Sequence, residues 1–420
     1  MSKGVKIIFG SLVVFAVAHF GLSWGEQGVR AMIATYLGGV ALILMCWAIL
    51  ISVRPSRWED MFGGLDKMYL VHKMIGVAIL VLILVHFFAI PKLDIAERLP
   101  AEGFAKWVGV PAGPVGMITM ILLILSVVIA LNRKISYQNW LKPHRLMGVL
   151  FGLAVFHMLL TPTQLFYGKS VSGMVLFLVG IVGVAAYLYR QFVREKPRHA
   201  YTLEAVNELE RATELVLAPN GKAMAHKPGQ FAFLRIKEKG FDESHPFTIS
   251  SAPGAGKLRF TTKVLGDFTR RIRDDLKPGA AAVIEGPYGR FDMDIPTRAQ
   301  VWVAGGVGIT PYLSAVRAMK PGDDREVLLI VCVQETEQAL FLDEIRDVFA
   351  GQANKTVLVL QSNEGEFCTS DLIAEKLGGI LTDRAYFLCG PRPMVDGLKK
   401  GLTKAGVSAD AIHNEAFEFR

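Results

Sequence analysis

The chain has 420 residues, 52% of them hydrophobic and 20% charged, with a net charge of +8 and a mean hydropathy of +0.37. So much apolar surface has to be buried, which excludes a disordered chain; the mixture is also too apolar for an ordinary soluble protein and too charged for one lying wholly in a membrane. Four scattered cysteines, Cys46, Cys332, Cys368 and Cys389, form neither a disulfide framework nor a CxxC metal pair. The composition therefore points to two unlike halves.

Residues 1–195 hold six apolar stretches, near 5–24, 31–53, 70–90, 114–132, 145–160 and 172–192. About 20 apolar residues cross a hydrocarbon core, so each stretch predicts a transmembrane helix. The fifth is short and is expected to begin before its first apolar residue. Lys3 and Lys6 ahead of the first stretch would suit a signal peptide, but Trp24-Gly25-Glu26 stands where a cleavage site needs small residues. With six spans both termini share a side. That side carries fourteen flanking Lys and Arg residues, against five on the other (Arg30, Lys92, Arg98, Lys106 and Lys169). The bias predicts an integral protein of the inner (plasma) membrane with both termini, and everything after residue 195, in the cytoplasm.

Histidine carries the information in this half. His72 and His86 lie on the third span, His144 and His157 at the fifth. An ionisable side chain at membrane depth is a functional candidate, and neutral imidazole is an axial haem ligand. Separations of 14 and 13 residues correspond to about 21 and 20 Å along a helix, so each helix offers one histidine near either leaflet. Two haems stacked across the bilayer are predicted, His72 pairing with His144 on the cytoplasmic side and His86 with His157 on the outer side. Fourteen residues return to nearly one helical face, but thirteen do not. Pro143 is expected to start the fifth helix just before His144, and Gly148 and Gly152 to interrupt it, so that irregular winding there re-aims one ring. No CxxCH is present, so the haems would be non-covalent. His19, on the first span, lacks a partner at such spacing and reads as a packed polar residue.

After Arg198 the texture changes. Short alternating segments at Tyr201–Val206, Glu214–Ala218, Phe231–Ile236, Phe247–Ser250, Leu258–Val264 and Ala282–Glu285, with one helix near Phe268–Leu276, predict a small antiparallel barrel over residues 196–297. Residues 298–420 instead alternate apolar strands at Val301–Ala304, Val327–Val331, Thr356–Leu360 and Ala385–Leu388 with helices around Tyr312–Met319, Ala339–Phe349 and Ser370–Leu377, the pattern of a covered parallel sheet. The fold class is thus a multi-domain membrane protein: a six-helix haem bundle (1–195), an antiparallel β-barrel and an α/β nucleotide-binding domain.

The first strand of the parallel sheet runs into Gly305-Gly306-Val307-Gly308-Ile309-Thr310-Pro311 and then a helix, the context in which glycines admit a pyrophosphate to a helix N-terminus. Cys389-Gly390-Pro391 ends the last strand at the same edge; Cys389 is either a buried small residue or a neighbour of the nicotinamide. In the barrel, His245-Pro246-Phe247-Thr248-Ile249-Ser250-Ser251 offers hydroxyls and amides to a flavin, and Gly266-Asp267-Phe268-Thr269 opens the lone helix at a place fit for its pyrophosphate. Lys263, closing the strand before that helix, is placed with the cofactor-binding residues. Taken singly, each stretch is also readable as a plain strand, turn or helix cap.

Together, the histidine spacing, HPFTISS, GDFT, GGVGITP and the late CGP resemble the NADPH oxidase and ferric reductase superfamily over nearly the whole chain, in that family's order. The resemblance implies FAD on HPFTISS and GDFT, a nicotinamide nucleotide on GGVGITP and CGP, and two b-type haems on the four histidines. It also implies a C-terminal aromatic stacked on the flavin; Phe417 fits, with Phe419 a competitor because the chain continues past it. Glu335 and Glu364, near the expected adenine ribose, favour NADH over NADPH. The implied activity is transfer of electrons from cytoplasmic NAD(P)H to an outer acceptor. A ferric chelate is preferred; oxygen, a quinone or a periplasmic redox protein are the alternatives. Membrane lipid is an expected partner and nucleic acid is not.

Overall fold

The computed structural model describes residues 2–21, 28–91, 104–132, 135, 137–161, 170–193 and 198–415, in two units divided at Glu195/Lys196. Phe417 and Phe419 lie outside the described residues, as do the flanking charges Lys92, Arg98, Arg133, Lys134, Lys169, Arg194 and Lys196.

In the first unit, α1 (Lys3–Ala16) continues through a π-helical turn to Gly21 and is followed by α2 (Val29–Val53), short α3 (Ser56–Phe62) and α4 (Leu65–Ala89). Then come short α5 (Phe104–Val108), α6 (Ala112–Leu131), α7 (Tyr137–His144), α8 (Met147–Leu160) and α9 (Val171–Leu188), which winds on as a π-helix to Val193. Six spans are long and apolar enough to cross a membrane among the described residues: Lys3–Gly21, Val29–Val53, Leu65–Ala89, Ala112–Leu131, Asn139–Leu160 and Val171–Val193. The fifth does start ahead of its apolar run, at Asn139. The second span is the hub, with 56% of its apolar window buried against 17–28% for the others.

The fifth span is broken, though not at the expected glycines, and Pro143 lies inside α7 near its end rather than starting a helix. Gly148 and Gly152 lie inside α8, and the break falls at Arg145–Leu146. Pro143 has no N–H to give to the ladder, and its own carbonyl accepts a tight bond from Leu146 N–H (3.0 Å). His144 therefore ends one helix while His157 sits on the next, which removes the 13-residue phase problem.

The second unit opens with strands β1 (Arg198–Leu209), β2 (Ala212–Pro219), β3 (Phe231–Ile236), β4 (Ser244–Thr248) and β5 (Leu258–Lys263), helix α10 (Asp267–Asp274) and strand β6 (Ala281–Tyr288). These six strands form an antiparallel sheet in the order β4-β3-β6-β1-β2-β5, whose edges meet through one bridge, Ile249 to Phe260. Its inner face is apolar: Tyr201, Leu215, Leu234, Ile249, Phe260 and Ile284 are all fully buried, and α10 adds fully buried Ile272 to the same core.

The rest of the unit is β7 (Ala299–Gly305), α11 (Thr310–Arg317), β8 (Glu326–Val333), α12 (Leu342–Phe349), β9 (Lys355–Gln361), α13 (Ser370–Lys376), β10 (Ala385–Cys389), α14 (Arg392–Lys404) and β11 (Ile412–Asn414). The five strands are parallel, in the order β11-β10-β7-β8-β9. Both faces are covered: along β7, Trp302 and Ala304 enter one apolar core while Val301 and Val303 enter the other. That is why these strands read as continuous apolar runs. The sequence reading did not foresee α14 or the three-residue β11.

Candidate functional site

The parallel sheet has its switch point between β7 and β10: the chain steps outward from β7 through β8 to β9, then returns to β10 on the other side. Ligands of such sheets bind beyond the carboxyl ends of the strands at that point. GGVGITP and CGP are the two loops there, and glycine lets them touch. A Cβ on Gly308 would stand 2.3 Å from the Cys389 carbonyl oxygen, and one on Gly305 would stand 2.5 Å from Pro391 Cδ. Gly306 has φ +55° and Gly390 has φ +159°. Gly308 thus serves loop-to-loop packing directly. Below the junction, fully buried Tyr312 donates its hydroxyl to the Phe387 carbonyl (2.7 Å), tying α11 to β10.

Cys389 is fully buried in the core, and burial pushes its thiol well above the ordinary range, with Glu415 adding to the effect. It meets the loop through its backbone. Lys263 reaches the glycine loop, its Nζ 4.0 Å from where a Cβ on Gly306 would stand. On the neighbouring strand, Glu335 follows β8 and accepts a bond from Asn363 Nδ2 (3.0 Å), while Thr336 N–H donates to Gln361 Oε1 (3.0 Å).

In the barrel the two stretches expected to bind flavin come together. His245 stacks on Phe268 with ring centroids 3.9 Å apart, and its Nε2 lies 2.9 Å from Glu243 Oε2. Burial lowers the His245 pKa, with Glu243 opposing the shift. Thr269 closes the turn before α10 by accepting from Leu265 N–H (3.0 Å) and Gly266 N–H (3.2 Å). Asp267 caps Phe268 N–H (2.9 Å). The Thr248 hydroxyl is buried with no hydrogen-bond partner among the described residues. A polar atom so placed calls for one, and the stretch fits a flavin on that account. Ser250 and Ser251 are committed to the barrel: Ser250 Oγ bonds Thr261 Oγ1 (3.3 Å), and Ser251 Oγ accepts from Arg259 N–H (3.2 Å).

In the bundle, His72 and His144 face each other with centroids 5.9 Å apart and planes at 76°. Two metal–imidazole bonds of about 2 Å plus two ring radii call for roughly that span. Three of the four candidate ligands share one device. Nδ1 donates to a backbone carbonyl: His72 to Ala48 (3.1 Å), His86 to Ala34 (2.7 Å) and His157 to Ala112 (3.0 Å). A neutral ring held this way keeps Nε2 unprotonated, the state a metal requires. His19 is placed the other way, with Nε2 donating to the Met32 carbonyl (3.0 Å), and is a packed polar residue. Glycine makes room for the two remaining rings: a Cβ on Gly38 would stand 3.0 Å from His86 Cε1, and one on Gly116 would stand 2.5 Å from His157 Cε1. Space is open at the Cβ positions of Gly76 on α4 and Gly152 on α8. Donors and space together fit haem. Sequence reasoning missed the carbonyls and the glycines. The signal was there as Ala34-x3-Gly38 and Ala112-x3-Gly116, one turn apart on the facing helices.

Three family models match the chain in sequence. They are the ferric reductase like transmembrane component (residues 37–155), an FAD-binding domain (202–292) and an oxidoreductase NAD-binding domain (302–400). The chain has the fused architecture of the NADPH oxidase and ferric reductase superfamily. Among curated proteins it is 27% identical over 214 residues to a xylene/toluene monooxygenase electron transfer component of Pseudomonas putida, covering 49% of this chain and 61% of that one. It is 27% identical over 227 residues to a flavohemoprotein of Bordetella pertussis, covering 49% and 56%. The chain thus spans little more than half the length of these relatives. A flavohemoglobin structure from Malassezia yamatoensis shares the fold, with TM-score 0.51 and 20% identity over 99% of both chains. The chain therefore joins a ferric-reductase-like transmembrane component to an FAD-binding domain and an oxidoreductase NAD-binding domain.

Proposed function

We propose that the protein is a transmembrane reductase that takes electrons from NADH on the cytoplasmic side and delivers them to a ferric chelate on the outer side, with FAD and two b-type haems as carriers. The observation that carries this reading is the set of transmembrane imidazoles whose Nδ1 atoms are fixed on carbonyls inside a ferric-reductase-like bundle. FAD, when bound, accepts a hydride and releases single electrons, which haem can pass on.

The chain's part is placement. His72 and His144 would hold one haem, His86 and His157 the other. The Nδ1 bonds orient three of these rings and keep their Nε2 lone pairs exposed. Thr248 and the α10 N-terminus would hold the flavin, and the loops at the β7–β10 switch point would receive the nicotinamide nucleotide. Glu335, held by Asn363, is suited to bonding a ribose diol and to repelling a 2′-phosphate, which favours NADH. Phe417 or Phe419 would cover the flavin until nicotinamide displaces it. The positive-inside bias supports cytoplasmic termini in the inner membrane. Two histidines would hold each haem iron, so the acceptor would take its electrons without binding the metal.

The test is anaerobic spectroscopy of the solubilised protein loaded with FAD and haem. NADH should reduce the haem bands, and an oxygen-free ferric chelate should reoxidise them quickly while oxygenated buffer does so slowly. Fast reoxidation by oxygen with superoxide release would make the protein an oxidase. Slow reoxidation by both, restored by a partner protein or quinone, would make it a carrier.

A further inference from the structure

Helix α11 starts at the glycine loop and runs for eight residues to Arg317, whose side chain is only 10% exposed. All five guanidinium N–H groups are placed on acceptors. Nε and Nη2 grip both oxygens of Glu344 on α12 (2.6 and 2.8 Å). Nη1 donates to the Ser250 carbonyl (2.9 Å), and Nη1 and Nη2 both reach Glu214 Oε1 on β2 (3.4 Å each). Glu214 is 4% exposed and is also met by Asn207 Nδ2 (3.2 Å). The plane of the guanidinium lies over Phe341, 5.0 Å from the ring centroid, and Phe341 is held at φ +58°. A bulky residue in that region is strained, and such strain persists only where the surroundings impose it. One turn earlier, fully buried Ser314 donates to the next carbonyl, Ser251 (2.7 Å).

Two consecutive carbonyls at the end of HPFTISS are therefore held by one face of the helix that begins at GGVGITP. Ser250 is two residues from Thr248, the buried hydroxyl that fits the flavin. We propose that Arg317 is a positioning residue for hydride transfer: it locks the flavin-binding segment to the nucleotide-binding helix, so that the two ligands meet at a fixed separation. This rests on the reading that the module binds FAD and a nicotinamide nucleotide. A rigid, five-donor fork suits the task; a lysine, with one ammonium, cannot hold a carboxylate side-on and a carbonyl together.

The experiment uses the full-length solubilised protein loaded with FAD. Flavin fluorescence gives FAD affinity, titration with NAD⁺ gives nucleotide affinity, and stopped-flow mixing with NADH gives the limiting rate of flavin reduction. Arg317→Lys should lower that limiting rate by about ten- to a hundredfold, with both affinities changed less than about threefold, because misplacement by an ångström is paid in rate. Glu344→Gln, which leaves Arg317 and Glu214 in place, should give a smaller drop in the same parameter. An unchanged limiting rate in Arg317→Lys, with only thermal stability or FAD retention reduced, would overturn the proposal. If Arg317→Lys does not fold, an unchanged rate in Glu344→Gln overturns it. Should the parent protein itself fail to bind FAD or to be reduced by NADH, the functional reading fails instead.

Discussion

Gly116→Ala tests the outer histidine placement most directly. The added methyl would stand 2.5 Å from His157 Cε1 and 2.7 Å from Nδ1. Non-bonded carbon atoms settle at about 3.5–4.0 Å, so the ring must retreat by roughly 1 Å. A retreat of that size takes the 3.0 Å bond from Nδ1 to the Ala112 carbonyl beyond hydrogen-bonding range. Loss of such an outer-shell partner weakens a metal site by about 10- to 100-fold, or roughly 1.4–2.7 kcal/mol. Gly38→Ala, with its methyl 3.0 Å from His86 Cε1, should do the same to a lesser degree. Gly10→Ala on α1, where nothing lies within 4 Å, is the control. The assay is haem-to-protein ratio by pyridine haemochrome, together with a redox titration of the two haems. The expected order of haem loss is Gly116→Ala, then Gly38→Ala, with Gly10→Ala unaffected. Two full haems with unchanged midpoints in Gly116→Ala would refute the idea that the facing glycine sets the ring.

Three further outcomes are expected from the second unit. Gly308→Ala forces a methyl to within 2.3 Å of a backbone carbonyl that has nowhere to go, at a cost of about 1–3 kcal/mol; NADH affinity should fall while FAD content holds, and calorimetric titration would expose an unchanged affinity. Glu335→Ala should lower kcat/KM for NADH about tenfold and raise it for NADPH; parallel losses with both donors would rule out a ribose contact. His245 has its folded pKa depressed by burial below the unfolded value of about 6.5, so its neutral form is the native one. The unfolded chain takes up the proton first, and stability is lost as pH falls from about 6.5 towards the folded pKa. His245→Asn should flatten the thermal midpoint over that window, and an unaltered slope would contradict the assignment.

Much of this was legible in the chain because one-dimensional signals sufficed. Span lengths, strand periodicity and glycine punctuation are local, and so are HPFTISS, GDFT and GGVGITP. What escaped depends on contacts between distant segments. The strand Ile412–Asn414 is too short for any period, and it exists because β10 offers it an edge. Arg317 reads as an ordinary basic residue ending an amphipathic helix; only the fold brings Glu214, 103 positions away, to it. Cys389 was open between core and cofactor, and its full burial places the thiol in the core. The break at Arg145–Leu146 was misplaced: Pro143 read as a helix start and the glycines as the interruption, whereas the Pro143 carbonyl and Leu146 N–H decide where the ladder breaks and resumes.

The bundle adds a constraint that spacing on one helix does not reveal. Ala34 and Ala48, which hold His86 and His72, are themselves 14 residues apart on α2, matching the 14 between the two histidines on α4. The rise per residue is the same in both helices, so the two straight segments act as paired rulers of about 21 Å. An insertion in either one would rotate one ring off its carbonyl by about 100° while leaving the other in place. The separation of the two imidazole levels is therefore fixed twice, once by α4 and once by α2. The α7–α8 arm has its break between His144 and His157, so on that side no single continuous helix spaces the two levels, and His157 is placed instead by its bond to the Ala112 carbonyl on α6.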